Sequence, residues 1–437
     1  MDTTPPATPP SAPPNTSPAA PQTTPPAGAS STRLAASGEQ PTPSRSHARG
    51  FWLIALVFAV GMAFSTVPTP LWPLYRTRDG LSTTAVTIAF AAYAVGVAVS
   101  LYLVGHVSDR IGRRRVLMPA IVLELLAASV LLLAHDLAVL VLARLLTGLG
   151  VGVLTATATA HLTELHAAAR PGASTTRASV VATAANLGGL ALGPLVAGVL
   201  ASAAPAPLTT SYALFLVLLA AAGVAVALVP ETVPRTDERY RWRPQRVVVP
   251  AAARGRYAAL GAVTFALFAV FGLFTSLAPA FLATTGVTAP VLAGLASTGV
   301  FAAAATSQVL LGRLPVQQQL TAGFTTLAAG VLVLAGGELL GSAVAFVVGG
   351  LVAGSGAGVL LKGVLASAAA MAPAGAHGEA VAGVFLIAYL GLALPVLGIG
   401  AASAAGISLS VSLLTLACGV LLLVGIGWLA LRRTTPR

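Results

Sequence analysis

The sequence predicts an all-α integral membrane protein: twelve transmembrane helices in two pseudo-symmetric six-helix bundles. Composition predicts the class. Of 437 residues, 56% are hydrophobic and only 8% charged, and the mean hydropathy is +0.89, too little charge for the surface of a soluble chain of this length. Length predicts the helices. The apolar stretches run unbroken for about 20 residues, enough for a helix to cross a hydrocarbon core of about 30 Å, and lack the alternation of barrel strands. Charge predicts the number, because the arginines fall almost wholly on one side of an even count of spans.

Residues 1–50 are rich in Pro, Thr, Ser and Ala without a hydrophobic period, so a disordered tail is expected, and its first 30 residues hold no apolar signal-peptide core. Spans follow at 51–74, 83–104, 116–135, 138–162, 178–203 and 209–229, forming an N-terminal bundle over 51–229. A hydrophilic linker, 230–256, carries seven Arg with Glu231, Asp237 and Glu238. The C-terminal bundle, 257–431, holds spans 257–283, 289–311, 319–338, 341–366, 378–400 and 406–431, and 432–437 is a short tail.

With the N-terminus inside, twenty Arg occupy inside segments and only Arg76 and Arg78 lie outside. Both termini and the linker are therefore expected on the cytoplasmic face of the plasma membrane. The net charge of +12 sits in loops and tails, where anionic lipid of the bilayer, not nucleic acid, is its counterpart. Cys418 is the sole cysteine, which excludes an intrachain disulfide or a Cys-based metal site. The sole lysine, Lys362, stands between Leu361 and Gly363, so there is no Walker A loop and no ATP chemistry. The six His lack metal-ligand spacing, and no nucleophile elbow occurs; no cofactor, no metal and no enzyme activity are expected.

The halves repeat each other. Gly148, Gly150 and Gly152 of span 4 recur as Gly354, Gly356 and Gly358 of span 10, 206 residues on. Gly105 recurs as Gly312 at an offset of 207, and Gly189 as Gly391 at 202, which favours a duplicated six-helix unit.

Three motifs carry candidate chemistry. Gly105, Asp109, Arg110, Gly112 and Arg113 to Arg115 form a charged island between spans 2 and 3, in its plainest reading a topogenic cluster. Arg144 lies about two turns inside span 4, where a guanidinium is costly unless it faces water or a partner, or snorkels to the interface. Gly148 and Gly152 after it suit close helix packing. In span 5, Gly189, Gly193, Pro194 and Gly198 give small-x-x-x-small spacing with a proline, the pattern of a close-packed, kinked helix.

The pattern G-x-x-x-D-R-x-G-R-R starting at Gly105 closely resembles the signature of the major facilitator superfamily, and R-x-x-x-G-x-G-x-G starting at Arg144 resembles that family's second signature. The span 5 motif resembles the antiporter signature of drug/proton exchangers, although Val181 replaces an upstream glycine and Ala197 stands where glycine is usual. The Pro-rich end of span 1, Pro68 to Pro73, loosely resembles another drug-exporter feature. The resemblance covers roughly residues 51–432 and implies a secondary transporter that moves a small-molecule substrate by alternating access, with protons as the coupling partner. It implies that Gly105, Asp109, Arg110, Gly112 and Arg113 gate the change, Asp109 near the start of span 11 and within reach of Arg113. It assigns Arg144 to proton coupling or substrate.

Further coupling or substrate candidates are Glu124, Asn186, Gln308, Lys362 and Tyr389, against lateral pairing for Glu124, snorkelling for Lys362 and interhelical hydrogen bonding for the rest. Phe265, Phe268, Phe271 and Phe274 form a stripe on span 7, read as packing ahead of a substrate wall. The expected function is proton-coupled efflux of drug-like or hydrophobic compounds. Uptake of a sugar or other metabolite is the alternative, and a transport-inactive sensor or scaffold the second alternative. Few amides and no acids in the cavity helices weigh against a sugar site, and the lack of an acid in span 1 weighs against an exchanger.

Overall fold

The computed structural model describes residues 1–2, 44–133, 136–233, 249–373 and 377–433. Twelve of its helices are long and apolar enough to cross a membrane, and no strand occurs among the described residues. They are α1 (Arg45–Thr66), α2 (Thr83–Val104), α3 (Arg113–Leu132), α4 (Leu137–Ala169), α5 (Thr176–Ala203) and α6 (Pro207–Leu228), then α7 (Arg254–Ser276), α8 (Pro290–Leu310), α9 (Val316–Leu339), α10 (Ala343–Met371), α11 (His377–Ala404) and α12 (Leu409–Arg433). Most of the expected tail, 3–43, the centre of the linker, 234–248, and the end of the chain, 434–437, lie outside the described residues.

Several helices outrun their apolar spans. α1 starts at Arg45, ahead of Phe51, and α4 continues past residue 162 through Glu164 and His166 to Ala169. Hydropathy marks only the part of a helix that meets hydrocarbon; its polar turns continue into the interface. A short helix, Trp72–Asp79, extends the far end of α1 and ends at Gly80, whose φ of 65° suits a residue without Cβ.

Helices α1–α6 pack among themselves, as do α7–α12, and two seams join the sets: α2 against α11 and α5 against α8. A six-helix shift turns one seam into the other, as a duplicated unit requires. The glycine frame repeats too. Gly148 and Gly152 of α4 face α2 at Tyr93 and Val97, while Gly150 faces α3 at Ala120 and Glu124. Gly354 and Gly358 of α10 face α8 at Val300 and Ala304, while Gly356 faces α9 at Leu327. A methyl group at any of these positions would overlap the neighbouring backbone or side chain, so the short approach of these helices depends on glycine.

Pro194 explains the span 5 motif. It has no N–H for the carbonyl of Leu190 and disturbs that of Ala191. Thr66 Oγ1 of α1 donates to Leu190 O at 3.0 Å, and Thr298 Oγ1 of α8 donates to Ala191 O at 2.8 Å. Both exposed carbonyls are thus satisfied by neighbouring helices, one from each half. The motif's glycines divide likewise: Gly189 and Gly193 lie on α1, and Gly198 lies on α8 against Gly294.

Candidate functional site

A cavity of about 1120 Å³ lies between the halves. It opens at the end of the bundle that bears the Gly105–Arg115 island. Its rim there includes Asp109, Arg110, Thr163, Thr175, Gly378 and Glu379. The opposite end is shut. Thr84 Oγ1 donates to Gly400 O at 2.7 Å across the α2–α11 seam. Across the α5–α8 seam, the Val291 N–H donates to Ser202 Oγ at 3.1 Å. Trp72 Nε1 donates to Thr275 O of α7 at 3.1 Å and so closes α1 onto the second half.

The cavity's inner wall is asymmetric. Arg144 of α4 is 2% exposed, and its Nη1 donates to Ser65 O of α1 at 2.9 Å. Its Cζ stands 4.5 Å from the ring centre of Tyr93, a cation–π contact that offsets part of the cost of burial. Nε has no hydrogen-bond partner, and among the described residues no carboxylate forms an ion pair with Arg144. The facing wall is aromatic. Phe271 stacks on Phe301 of α8 with centroids 5.1 Å apart, and Phe268 packs at 5.9 Å on Tyr389 of α11. Phe385 extends this surface towards the open end. Of the span 7 stripe, Phe268 and Phe271 therefore face the cavity, whereas Phe274 is buried against Phe346 of α10.

Asn186 of α5 and Gln308 of α8 also line the cavity, and Gln308 Oε1 is buried without a partner. Two candidates stand elsewhere. Lys362 turns away from the cavity and lays its Nζ against Gly312, at the end of α8 nearest the open face, as a snorkelling lysine does. Glu124 neither points sideways towards lipid nor pairs with Arg144: it is 0% exposed and wedged between Gly61 of α1 and Gly150 of α4.

At the open end Arg113 is 8% exposed and holds several groups of the first half together. Its Nη1 pairs with Asp109 and donates to Ser108 Oγ at 2.7 Å, and its Nη2 donates to Glu164 of α4 at 2.6 Å. Thr232 Oγ1 donates to the other Glu164 oxygen at 2.5 Å. Asp109 thus pairs with Arg113 within the first half, as expected, and shares the rim of the cavity with Gly378 and Glu379 at the start of α11. At the start of α3 the carboxylate is Glu231, which accepts the N–H groups of Arg113 at 2.8 Å and Arg114 at 3.1 Å. Gly112, just before them, has φ 114° and stands so close to Glu231 that a Cβ would meet its Oε2 at 2.6 Å.

Sequence reasoning missed Tyr93, Phe301, Phe385, Glu164 and Glu231. Glu231 had a signal, a carboxylate directly after a span. Tyr93 had a weak one, three residues before Gly96, which packs on Gly148.

A cavity between two six-helix halves, open at one end and sealed at the other, defines the class: a secondary transporter. The chain matches the Major Facilitator Superfamily over residues 51–394 and belongs to that family. It is similar in fold to the human organic anion transporter MFSD10 (TM-score 0.62, 17% identity, 88% of this chain and 98% of that one). It also resembles a bacterial homolog of the human lysosomal transporter Spinster, solved inward-facing and unoccupied (0.67, 16%, 89% and 98%). A third similar structure is a nucleoside transporter (0.66, 10%, 87% and 99%). In sequence it is 30% identical over 131 residues to the arabinose-proton symporter of Bacillus subtilis, a match that spans 28% of this chain and 27% of that protein.

Proposed function

We propose that this chain is a plasma-membrane exporter of small, partly hydrophobic, drug-like molecules, exchanged for protons. Both termini and the open end of the cavity lie on the cytoplasmic side in this reading, as the arginine distribution favours. The observation that carries it is the pairing of an aromatic wall (Phe268, Phe271, Phe301, Phe385 and Tyr389) with a buried guanidinium opposite, Arg144. Such a site takes an amphipathic molecule: a planar apolar body against the rings and an anionic or acceptor-rich group towards the cation. Arg144 orients the substrate and stays protonated throughout, so it does not itself exchange the coupled proton. Gly105, Asp109, Arg110, Gly112 and Arg113 set the conformational balance, so Asp109→Asn slows cycling without weakening binding.

Purified protein in proteoliposomes with an imposed pH gradient tests this. The expected result is gradient-driven movement of an aromatic amphipath that is faster than that of arabinose. Uptake of a sugar with protons has one point in its favour, the stretch similar to the arabinose symporter. Proton-linked accumulation of arabinose with indifference to aromatic compounds would establish that reading and overturn ours.

A further inference from the structure

We propose that Glu124 is the proton-binding site of this transporter, held one residue layer behind the substrate cavity and outside it. The assignment rests on the proton-coupled reading above and gives it a residue. Glu124 stands mid-way along α3, and neither carboxylate oxygen has a hydrogen-bond partner. Its slot is made by absence of side chains: a Cβ on Gly61 would meet Oε2 at 2.9 Å and Oε1 at 3.2 Å, and a Cβ on Gly150 would meet Cγ at 2.8 Å. A bare carboxylate in such a place is far costlier than the neutral acid, so the slot holds the protonated form until water or a cation reaches it.

The groups facing it from every packed element sharpen the point. α1 presents Gly61, and α4 presents Gly150 with Leu154 beside it. α2 brings Tyr93, within electrostatic reach of both Glu124 and Arg144. Arg144, also on α4, is turned to Ser65 O and the Tyr93 ring and makes no ion pair with Glu124. None of these neutralises the carboxylate by direct contact.

The remaining described carboxylates of the helical bundle are otherwise occupied or misplaced. Asp79 pairs with Arg78; Asp109 and Glu164 pair with Arg113. Asp136 and Glu231 cap helix starts. Glu379 lies on the open rim and Glu338 in the last turn of α9.

A route to both sides exists through α1. Met62, next to Gly61, and Thr155, next to Leu154, line the cavity, so one layer separates the acid from cavity water. α1 also touches the seam helix α5 through Gly189 and Gly193, and its extension is latched to the second half by Trp72. Opening the sealed end must move α1, and with it the wall of the slot. The step is a simple exchange: a proton from water on the far side binds the Glu124 carboxylate, and the neutral acid later returns it to cavity water.

Two substrate-free measurements on the full chain test this. In one, wild type is treated with dicyclohexylcarbodiimide, which couples to protonated buried carboxyls, and Glu124 is followed by mass spectrometry. Labelling should fall about tenfold from about pH 6 to about pH 9, as expected for a group that exchanges protons in that range; absent or pH-independent labelling would overturn the assignment. In the other, Ser202→Cys is placed at the sealed end in a Cys418→Ser background and probed with an impermeant maleimide. With Glu124 intact, labelling of this reporter should change about threefold between about pH 6 and about pH 8.5, a shift of population between the two states, and Glu124→Gln should flatten it. A pH response that survives Glu124→Gln removes Glu124 and leaves proton coupling standing. No response in the reporter with Glu124 intact removes the coupling reading itself. If Glu124→Gln fails to fold, the carbodiimide profile of wild type still decides.

Discussion

In the first half, the three glycines of α4 bring it onto α2 and α3; in the second, the matching glycines of α10 bring it onto α8 and α9. Within that shared frame the contents diverge. Arg144 stands four residues before Gly148, and the residue four before Gly354 is Gly350, packed against the ring of Phe274. A guanidinium over a tyrosine in one half answers to a phenyl ring over a glycine in the other. Glu124 likewise has no acidic counterpart: the offset of 206 leads to Gly330, closed on Ala353. Duplication preserved the positions where backbones nearly touch, because any added atom there forces helices apart. Positions facing the cavity carry no such steric demand, so one half could place a cation there and the other aromatic rings.

The largest expected effect breaks this asymmetry at its centre. Arg144→Ala should lower reconstituted transport by about 100-fold, since it removes the buried cation that faces the aromatic wall, while Arg144→Lys should retain part of the rate because it supplies charge without the planar fork. Wild-type rates in Arg144→Ala would reduce the difference between halves to packing.

Next comes the frame itself. Gly294→Val adds bulk where α8 meets the Pro194 carbonyl and Gly198 of α5. The sealed end should then favour its open form by about tenfold, read as faster maleimide labelling of Ser202→Cys, because the seam is bistable and the added side chain penalises only the closed arrangement. Unchanged labelling would mean that the seam tolerates separation.

Smaller still are the hydroxyls that answer Pro194. Thr66→Val and Thr298→Val should each lower stability by about 0.6 to 2 kcal/mol, visible as a fall in melting midpoint, with Thr298→Val also weakening the seam because it acts between halves. Equal effects of the two on seam opening would contradict that division of labour. Smallest is Glu231→Gln, which leaves one acceptor but removes the charge from the start of α3. A loss of about 0.3 to 1 kcal/mol is expected, shrinking as salt is raised. A salt-independent loss would point to geometry instead of charge.

The spans, their even number and the repeat were legible in the sequence, because hydropathy over a helix length and a glycine at a fixed offset are local signals. Gly148, Gly150 and Gly152 could be read as packing positions from spacing alone. Arg144 could be singled out because a cation inside an apolar span is rare enough to need a reason. What each of these helices faces was not legible. A soluble helix shows its buried side by polar residues opposite, but these helices are apolar all round, since lipid accepts the same side chains as a protein interior. Only the tertiary structure therefore decided that Phe268 and Phe271 meet the cavity while Phe274 does not, that Lys362 turns to Gly312, and that Glu124 fills a slot between two glycines on other helices. The same holds for the hydroxyls of Thr66 and Thr298. That Pro194 frees carbonyls follows from its missing N–H, but which neighbours satisfy them depends on helices more than 100 residues away in the chain.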